Sequence, residues 1–234
     1  MSTRLSPRLT EIIRLCGRGR VIADIGCDHA FVCIRLVEGN AYGKALAMDV
    51  RPGPLAAASA NIREAGLTGR IETRLSDGLE KLRPGEADTV LIAGMGGDLI
   101  MRILEAGMDR LSPDVRLVLG PQSHVPEVRA YLQKNGFRIT EEVFLADDGK
   151  YYALMTAERG EDTPYSEEEL AFGRFPIRRQ DPVLEAWLSD RCGKLAAIID
   201  SLKDVSTKQS AERIHALTSE KTLAEAALRQ IRRE

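Results

Sequence analysis

Hydrophobic and polar positions along this chain follow two different periods, and the switches between them predict its elements. From Arg4 to about Cys16, Leu5, Leu9, Ile12, Ile13 and Leu15 recur near helical spacing behind a Ser6-Pro7 start, predicting an amphipathic lead-in helix. Val21-Ile22-Ala23-Asp24-Ile25-Gly26 is a short apolar run ending in a glycine turn, the pattern of a buried parallel strand, and a helix is expected from about His29 to Glu38. The alternation continues with a strand near Lys44 to Met48, a helix from Pro54 to Ala65, and strands near Ile71 to Arg74 and from Asp88 to Ala93. A helix from Asp98 to Ala106, a strand from Arg116 to Leu119 and a helix from Pro126 to Asn135, closed by Gly136, follow. Strands alternating with helices predict an α/β fold with a doubly wound parallel sheet, whose ligands sit at the carboxyl ends of the strands.

The pattern changes after Gly136. Two β-rich segments, Phe137 to Leu145 and Tyr151 to Ala157, flank Asp147-Asp148-Gly149, which is a hairpin signature. The polar stretch from Glu158 to Pro164 reads as a linker, dividing the chain into residues 1–158 and 159–234. Beyond it, Leu188, Leu195 and Leu202 are seven apart, as are Cys192 and Ile199, and Leu217, Ala224 and Ile231 repeat the interval. With a break around Ser206 to Gln209, an antiparallel, coiled-coil-like helical hairpin is expected.

Composition narrows the function classes. With 44% hydrophobic and 29% charged residues, neither wholesale disorder nor a membrane protein fits, and no apolar run approaches the roughly 18 residues of a spanning helix. The start lacks a continuous apolar segment of the secretory kind, so the cytoplasm is the expected location. A net charge of −2 excludes a globally basic nucleic-acid binder, though Arg4, Arg8, Arg14, Arg18 and Arg20, and again Arg174, Arg178 and Arg179, form local clusters. Such clusters either contact phosphates or are solvated helix faces. Cys16, Cys27, Cys33 and Cys192 contain no CxxC pair and read as reduced thiols. His124 and His215 have no companions at metal spacing, so no metal is expected.

Candidate chemistry gathers at the predicted strand ends. Asp24-Ile25-Gly26-Cys27-Asp28-His29-Ala30 has one glycine where a dinucleotide loop needs several, and Asp28 would repel a diphosphate. A carboxylate there suits a cationic cofactor such as S-adenosylmethionine; alternatively Asp28 caps the next helix. Asp49, ending the second strand, is placed to accept from ribose hydroxyls, and Asp77-Gly78 from an adenine amino group, although the latter is also a plain turn signal. Gly94-Met95-Gly96-Gly97 ends the fourth strand and permits close backbone approach to a ligand.

Taken together, Leu5-Ser6-Pro7-Arg8-Leu9, Asp24 to Ala30, Ser76-Asp77-Gly78-Leu79, Ile92 to Gly97 and Asp148-Gly149-Lys150-Tyr151-Tyr152 resemble the bacterial tRNA (adenine 22-N1)-methyltransferases, and the likeness reaches Phe172-Gly173-Arg174-Phe175 and Pro182-Val183-Leu184. The terminal hairpin likewise resembles the closing strands of class I methyltransferases. The resemblance implies S-adenosylmethionine-dependent methylation of N1 of adenine 22 in the tRNA D-arm. It implies Asp24, Gly26, Asp49, Asp77, Gly78 and Gly94 around the cofactor, with Gly94 and Met95 bordering the transfer site; the chemistry of attack by N1 adds Asp28 as the catalytic carboxylate with His29 to orient it, and Gly96, Gly97 and Gln122 are expected beside the substrate. On this reading the helical hairpin grips RNA shape and backbone, while five Phe, five Tyr and one Trp give little support to a base-stacking platform of interleaved aromatics. Where the family tends to Gln-Pro-Asn, this chain has Gly120-Pro121-Gln122. The rival readings are a methyltransferase of another RNA, a small molecule or a protein, a nicotinamide oxidoreductase, and a non-catalytic RNA-binding protein.

Overall fold

The computed structural model describes residues 5–203 and 207–233. Helix α1 (Pro7–Cys16) starts where Ser6 caps it, its hydroxyl accepting from the Leu9 N–H at 3.3 Å, with Pro7 at the first helical position. Then β1 (Gly19–Ile25), α2 (Phe31–Glu38), β2 (Tyr42–Asp49), α3 (Pro52–Glu64), β3 (Ile71–Leu75), β4 (Thr89–Met95), α4 (Gly97–Ala106), β5 (Arg116–Pro121) and α5 (Val125–Lys134) alternate as the period switches predict. Helix α2 begins at Phe31, two residues after the expected start, because Asp28 and Ala30 occupy left-handed backbone (φ 49° and 58°) that a helix cannot continue through.

Strands β6 (Phe137–Asp147) and β7 (Lys150–Arg159) are joined by Asp148 and Gly149, both at positive φ (49° and 71°), the backbone of a type I′ turn. All seven strands share one sheet in the order β3-β2-β1-β4-β5-β7-β6. The pairs from β3 to β5 are parallel and β7 runs antiparallel to β5. Direction of winding reverses at β1, which lies between β2 and β4, and this is where an open α/β sheet leaves a crevice. The register aligns Arg74, Met48, Ile25, Ile92 and Leu119 in one row across β3, β2, β1, β4 and β5. Every loop carrying a candidate residue therefore leaves the sheet at the same level.

The chain divides into two compact units, one of residues up to 141 with 146–162, the other of 142–145 with the residues from 163 onward. The expected division at 158/159 falls just inside β7. In the first unit, central strands β1, β2 and β4 bury Ile22, Ala23, Ile25, Ala45, Met48, Val90, Leu91 and Ile92, the near-continuous apolar run of a sheet covered on both faces. The Tyr42 hydroxyl, on a side chain 1% exposed, donates to the Cys16 carbonyl at 2.6 Å and bonds Thr89 Oγ1 at 2.9 Å, tying the end of α1 to β2 and β4.

In the second unit, α6 (Glu167–Phe172), α7 (Arg174–Arg178), α8 (Pro182–Leu202) and α9 (Lys208–Arg232) follow the linker. Ile177, Leu184, Leu188, Ala224, Ala227, Leu228 and Ile231 form its core, with Phe144 and Trp187 packed against it. Of the heptad positions, Leu188, Leu195, Leu217, Ala224 and Ile231 are buried, while Cys192, Ile199 and Leu202 are only partly covered. The break expected from Ser206 lies partly outside the described residues; Thr207 caps α9. Arg174 is no phosphate contact. It is 5% exposed, stacks 3.7 Å over the Tyr165 ring, pairs with Glu169 at 3.0 Å and donates to the Thr163 and Pro164 carbonyls. Its guanidinium is consumed in holding the linker to α6.

Replacing Tyr42 by Phe leaves the buried Cys16 carbonyl without its partner. A loss of about 1–2 kcal/mol is expected, read as a lower urea midpoint at unchanged m-value. An unaltered midpoint would show that this hydrogen bond does not hold α1 to the sheet.

Candidate functional site

Five strand ends and the loops after them converge on one cavity of about 750 Å³ above the reversal point of the sheet. Its lining includes Asp24, Gly26, Asp28 and His29 from β1 and the loop after it, Asp49 from the end of β2, Asp77 and Gly78 beyond β3, Gly94 and Met95 at the end of β4, and Gln122 beyond β5. Ten of the twelve residues singled out by sequence thus line one space. Gly96 and Gly97 are outside the lining. The Gly97 N–H donates to the Ser123 carbonyl at 3.0 Å, and a Cβ there would strike that oxygen and the His124 carbonyl, so this glycine serves the packing of α4 against the loop before α5. His124 also lies outside the lining and pairs with Asp98 at 3.2 Å.

The first loop is shaped by its backbone. Gly26 and Cys27 both donate N–H groups to the Met48 carbonyl, at 2.8 and 3.0 Å, which folds the chain back over the end of β2. Gly26 takes φ 77°, and a Cβ there would meet the Met95 methyl group. Glycine is required on both counts. Asp28 does not cap α2: the residue preceding that helix is Ala30, with no side-chain cap. Instead its carboxylate stands 65% exposed in the cavity, 3.6 Å from His29 Nε2. The Asn61 side chain donates to the His29 carbonyl at 3.0 Å and braces the loop. At the end of β4, an extra residue shifts the register between Ala93 and Met95, a bulge that gives Gly94 φ 80°.

The carboxylates differ sharply in environment. Asp49 is 4% exposed, and its Oδ1 accepts from the Arg51 N–H at 2.8 Å. Asp24 is 6% exposed, and burial pushes its carboxyl up to about 7; a hydrogen bond from the Cys33 thiol at 3.6 Å opposes this rise, and the charge of nearby Asp49 adds to it. Asp24 is thus a nearly buried carboxyl in the cavity wall with a raised affinity for its proton.

Sequence patterning missed several lining residues. Arg8 and Leu9 of α1 reach the cavity, as do Arg51, Leu99 and Phe31. The Arg8 guanidinium lies 4.8 Å over the Tyr152 ring, its backbone N–H is held by Asp147 at 3.2 Å, and among the described residues no carboxylate lies within ion-pair distance of it. The only signal for Arg8 is its place beside Ser6-Pro7. Phe31 has none, because it opens an apolar run indistinguishable by period from core. Among the described residues no three His, Cys, Asp or Glu side chains gather as metal ligands, and no helix is long and apolar enough to cross a membrane.

Strand order, an antiparallel closing strand and an acid-rimmed crevice at the reversal point define the chain as a class I methyltransferase. The family described as tRNA (adenine(22)-N(1))-methyltransferase, TrmK, matches over residues 22–224, and the chain belongs to that family. The Bacillus subtilis tRNA (adenine(22)-N(1))-methyltransferase is 41% identical over 172 residues, covering 73% of this chain and 72% of that protein. The structure of a Streptococcus pneumoniae putative tRNA (m1A22) methyltransferase in complex with S-adenosyl-L-methionine superposes with a TM-score of 0.85 at 31% identity, over 96% of this chain and 100% of that one. M. capricolum TrmK bound to S-adenosyl-homocysteine gives 0.86 at 27% identity, over 98% and 100%.

The proton on Asp24 makes a stability prediction. Between its ordinary value of 3.8 and about 7, the folded chain keeps a proton that the unfolded chain has released, so this group's contribution to stability falls as pH rises across that window. Asp24→Asn lacks the titration. Its urea midpoint, relative to the unmodified chain, is expected to improve from pH 4 to about pH 7 and to level off above it; a constant difference across that window would contradict the buried, protonated state.

Proposed function

We propose that this chain methylates N1 of adenine 22 in tRNA, in the D-arm, using S-adenosylmethionine, and that it does so in the cytoplasm. The observation that carries the reading is the shared cavity, whose wall brings together the acids at the ends of β1, β2 and β3 with the exposed Asp28, Met95 and Gln122. The donor is a zwitterion with an additional sulfonium charge, and the lining fits it. A glycine at φ 77° whose Cβ would collide with Met95 leaves room for close backbone approach. Asp49 is positioned to accept from the ribose hydroxyls, and Asp77 with Gly78 borders the adenine. On binding, Asp24 releases its proton to solvent and faces the donor's ammonium group, while Arg8, which has no acidic partner among the described residues, takes the donor's carboxylate.

When bound, S-adenosylmethionine supplies an electrophilic methyl group. N1 of neutral adenine already holds the attacking lone pair, so the chain has little proton chemistry to perform before attack and much alignment. Asp28 accepts from the N6 amino group of the target base, fixing N1 toward the cofactor. As the N1–methyl bond forms and the sulfonium leaves as a thioether, the base becomes cationic, and the Asp28 carboxylate stabilises that charge across the N6 hydrogen bond. His29, its Nε2 3.6 Å away, stands beside the carboxylate and limits the orientations open to it. Gly94, Met95 and Gln122 border the transfer site; Gly96 acts indirectly, through the start of α4. A paired N1 has no free lone pair, so the base must enter unpaired. The helical hairpin from 159 to 234 holds the RNA by shape and backbone.

Labelled S-adenosylmethionine and unmodified tRNA, followed by mapping of the modified nucleotide, test the reading directly; label at a nucleotide other than adenine 22 overturns it. Asp28→Ala is expected to lose at least a hundredfold in kcat while keeping cofactor affinity, and Asp49→Ala to weaken the cofactor Kd at least tenfold by calorimetry. The reverse pattern would exchange their roles. Crosslinking of bound tRNA is expected to mark peptides beyond residue 159; crosslinks confined to earlier residues would assign the hairpin another task.

A further inference from the structure

Phe31 is the anomaly of the cavity wall. It opens helix α2, whose Val32, Cys33, Leu36 and Val37 are buried, yet its own ring is 52% exposed and lines the cavity. An exposed phenylalanine on a soluble helix costs solvation free energy unless something covers it. Its ring centroid lies 5.5 Å from that of His29, tilted by 37°, so two flat side chains stand together at the mouth. The chain invests strain in this arrangement. Asp28 and Ala30, on either side of His29, both sit at positive φ, a backbone that non-glycine residues adopt at a cost and that persists where the surroundings impose it. Here the impositions are the Ala30 N–H bond to the Cys27 carbonyl at 2.7 Å and the Asn61 bond to His29. Without those two residues in left-handed backbone, α2 would start earlier and carry Phe31 elsewhere.

We infer that His29 and Phe31 form the aromatic platform on which the target adenine stacks, with Asp28 beside it reading the N6 amino group. The inference rests on the proposed methyl transfer and names the part of the site that receives the acceptor base. Sheet order separates the two nucleobases of the reaction. Asp77, bordering the donor's adenine, follows β3, two strands away from β1, a separation of about 10 Å at ordinary strand spacing. His29 and Phe31 follow β1, whose other neighbour is β4, with Met95 and Gln122 at the same end. A purine at the platform is therefore the acceptor. A base turned out of its stack regains contact area on an aromatic face, and the adjacent carboxylate supplies the hydrogen bond that a bare hydrophobic wall lacks. The cationic product base also gains from the negative π faces.

The test compares Phe31→Leu, which keeps apolar bulk, with Phe31→Tyr, which keeps the ring. Phe31→Leu is expected to lower kcat/KM for tRNA at least tenfold with the S-adenosylmethionine Kd within twofold of the unmodified chain, and Phe31→Tyr to retain kcat/KM within threefold. A tRNA carrying 2-aminopurine at position 22 is expected to show different emission when bound to the unmodified chain and to Phe31→Leu. Equal tRNA kinetics and equal emission in Phe31→Leu overturn the platform while leaving the reaction assignment intact. A Phe31→Leu chain that instead loses cofactor affinity overturns it in favour of a donor contact. Absence of methylation at adenine 22 by the unmodified chain overturns the reaction assignment itself.

Discussion

One carbonyl organises the active face of this molecule. The Met48 oxygen at the end of β2 accepts from two successive N–H groups, those of Gly26 and Cys27, and so holds the loop after β1 across the neighbouring strand. A bifurcated acceptor of this kind leaves the chain little choice. Gly26 must turn through positive φ, the following residues must rise away from the sheet, and Asp49, next in sequence after Met48, is brought close to Asp24. Burial of the Asp24 carboxyl is what chiefly raises its affinity for a proton, and the nearby charge of Asp49 adds to the rise.

The acids of the cavity therefore divide their labour by environment rather than by type. Asp24 and Asp49 are nearly inaccessible and preorganised, suited to recognising fixed groups on a cofactor. Asp28 projects into solvent on a constrained loop, suited to a partner that comes and goes. A reaction that begins with a neutral nucleophile and ends with a cation needs this kind of mobile-side charge, because stabilisation must grow as the bond forms.

Much of this was legible in the sequence, and what was not has definite causes. Period switches located every strand from Val21 to Ala157 because buried strands and amphipathic helices leave different apolar spacings. Asp49 and Asp77 were legible because strand-end acids follow directly from a parallel sheet. Phe31 was not: periodicity reports that a side chain is apolar, and only the three-dimensional path of residues 28 to 30 decides that this one turns outward. Arg8 resembled four neighbouring arginines, and its distinction is that the path of α1 brings it into the cavity wall, a property only the folded chain can decide. Gly96 and Gly97 shared the composition of a ligand loop, but the contact that forbids a side chain at Gly97 comes from the loop before α5. Helices α6 and α7 are held by the clasp of Arg174 on Tyr165 and Glu169, a side-chain arrangement that follows neither helical nor strand period.

The cavity draws on stretches of chain from Arg8 to Gln122, so none of its affinity resides in any contiguous fragment. A ribosome must have released more than half of the polypeptide before the pocket exists. From then on, any molecule that occupies it favours every element contributing a wall, by an amount set by its concentration over its dissociation constant. Cells rich in the methyl donor would thus protect the entire α/β unit against unfolding and proteolysis, and starvation for the donor would expose it.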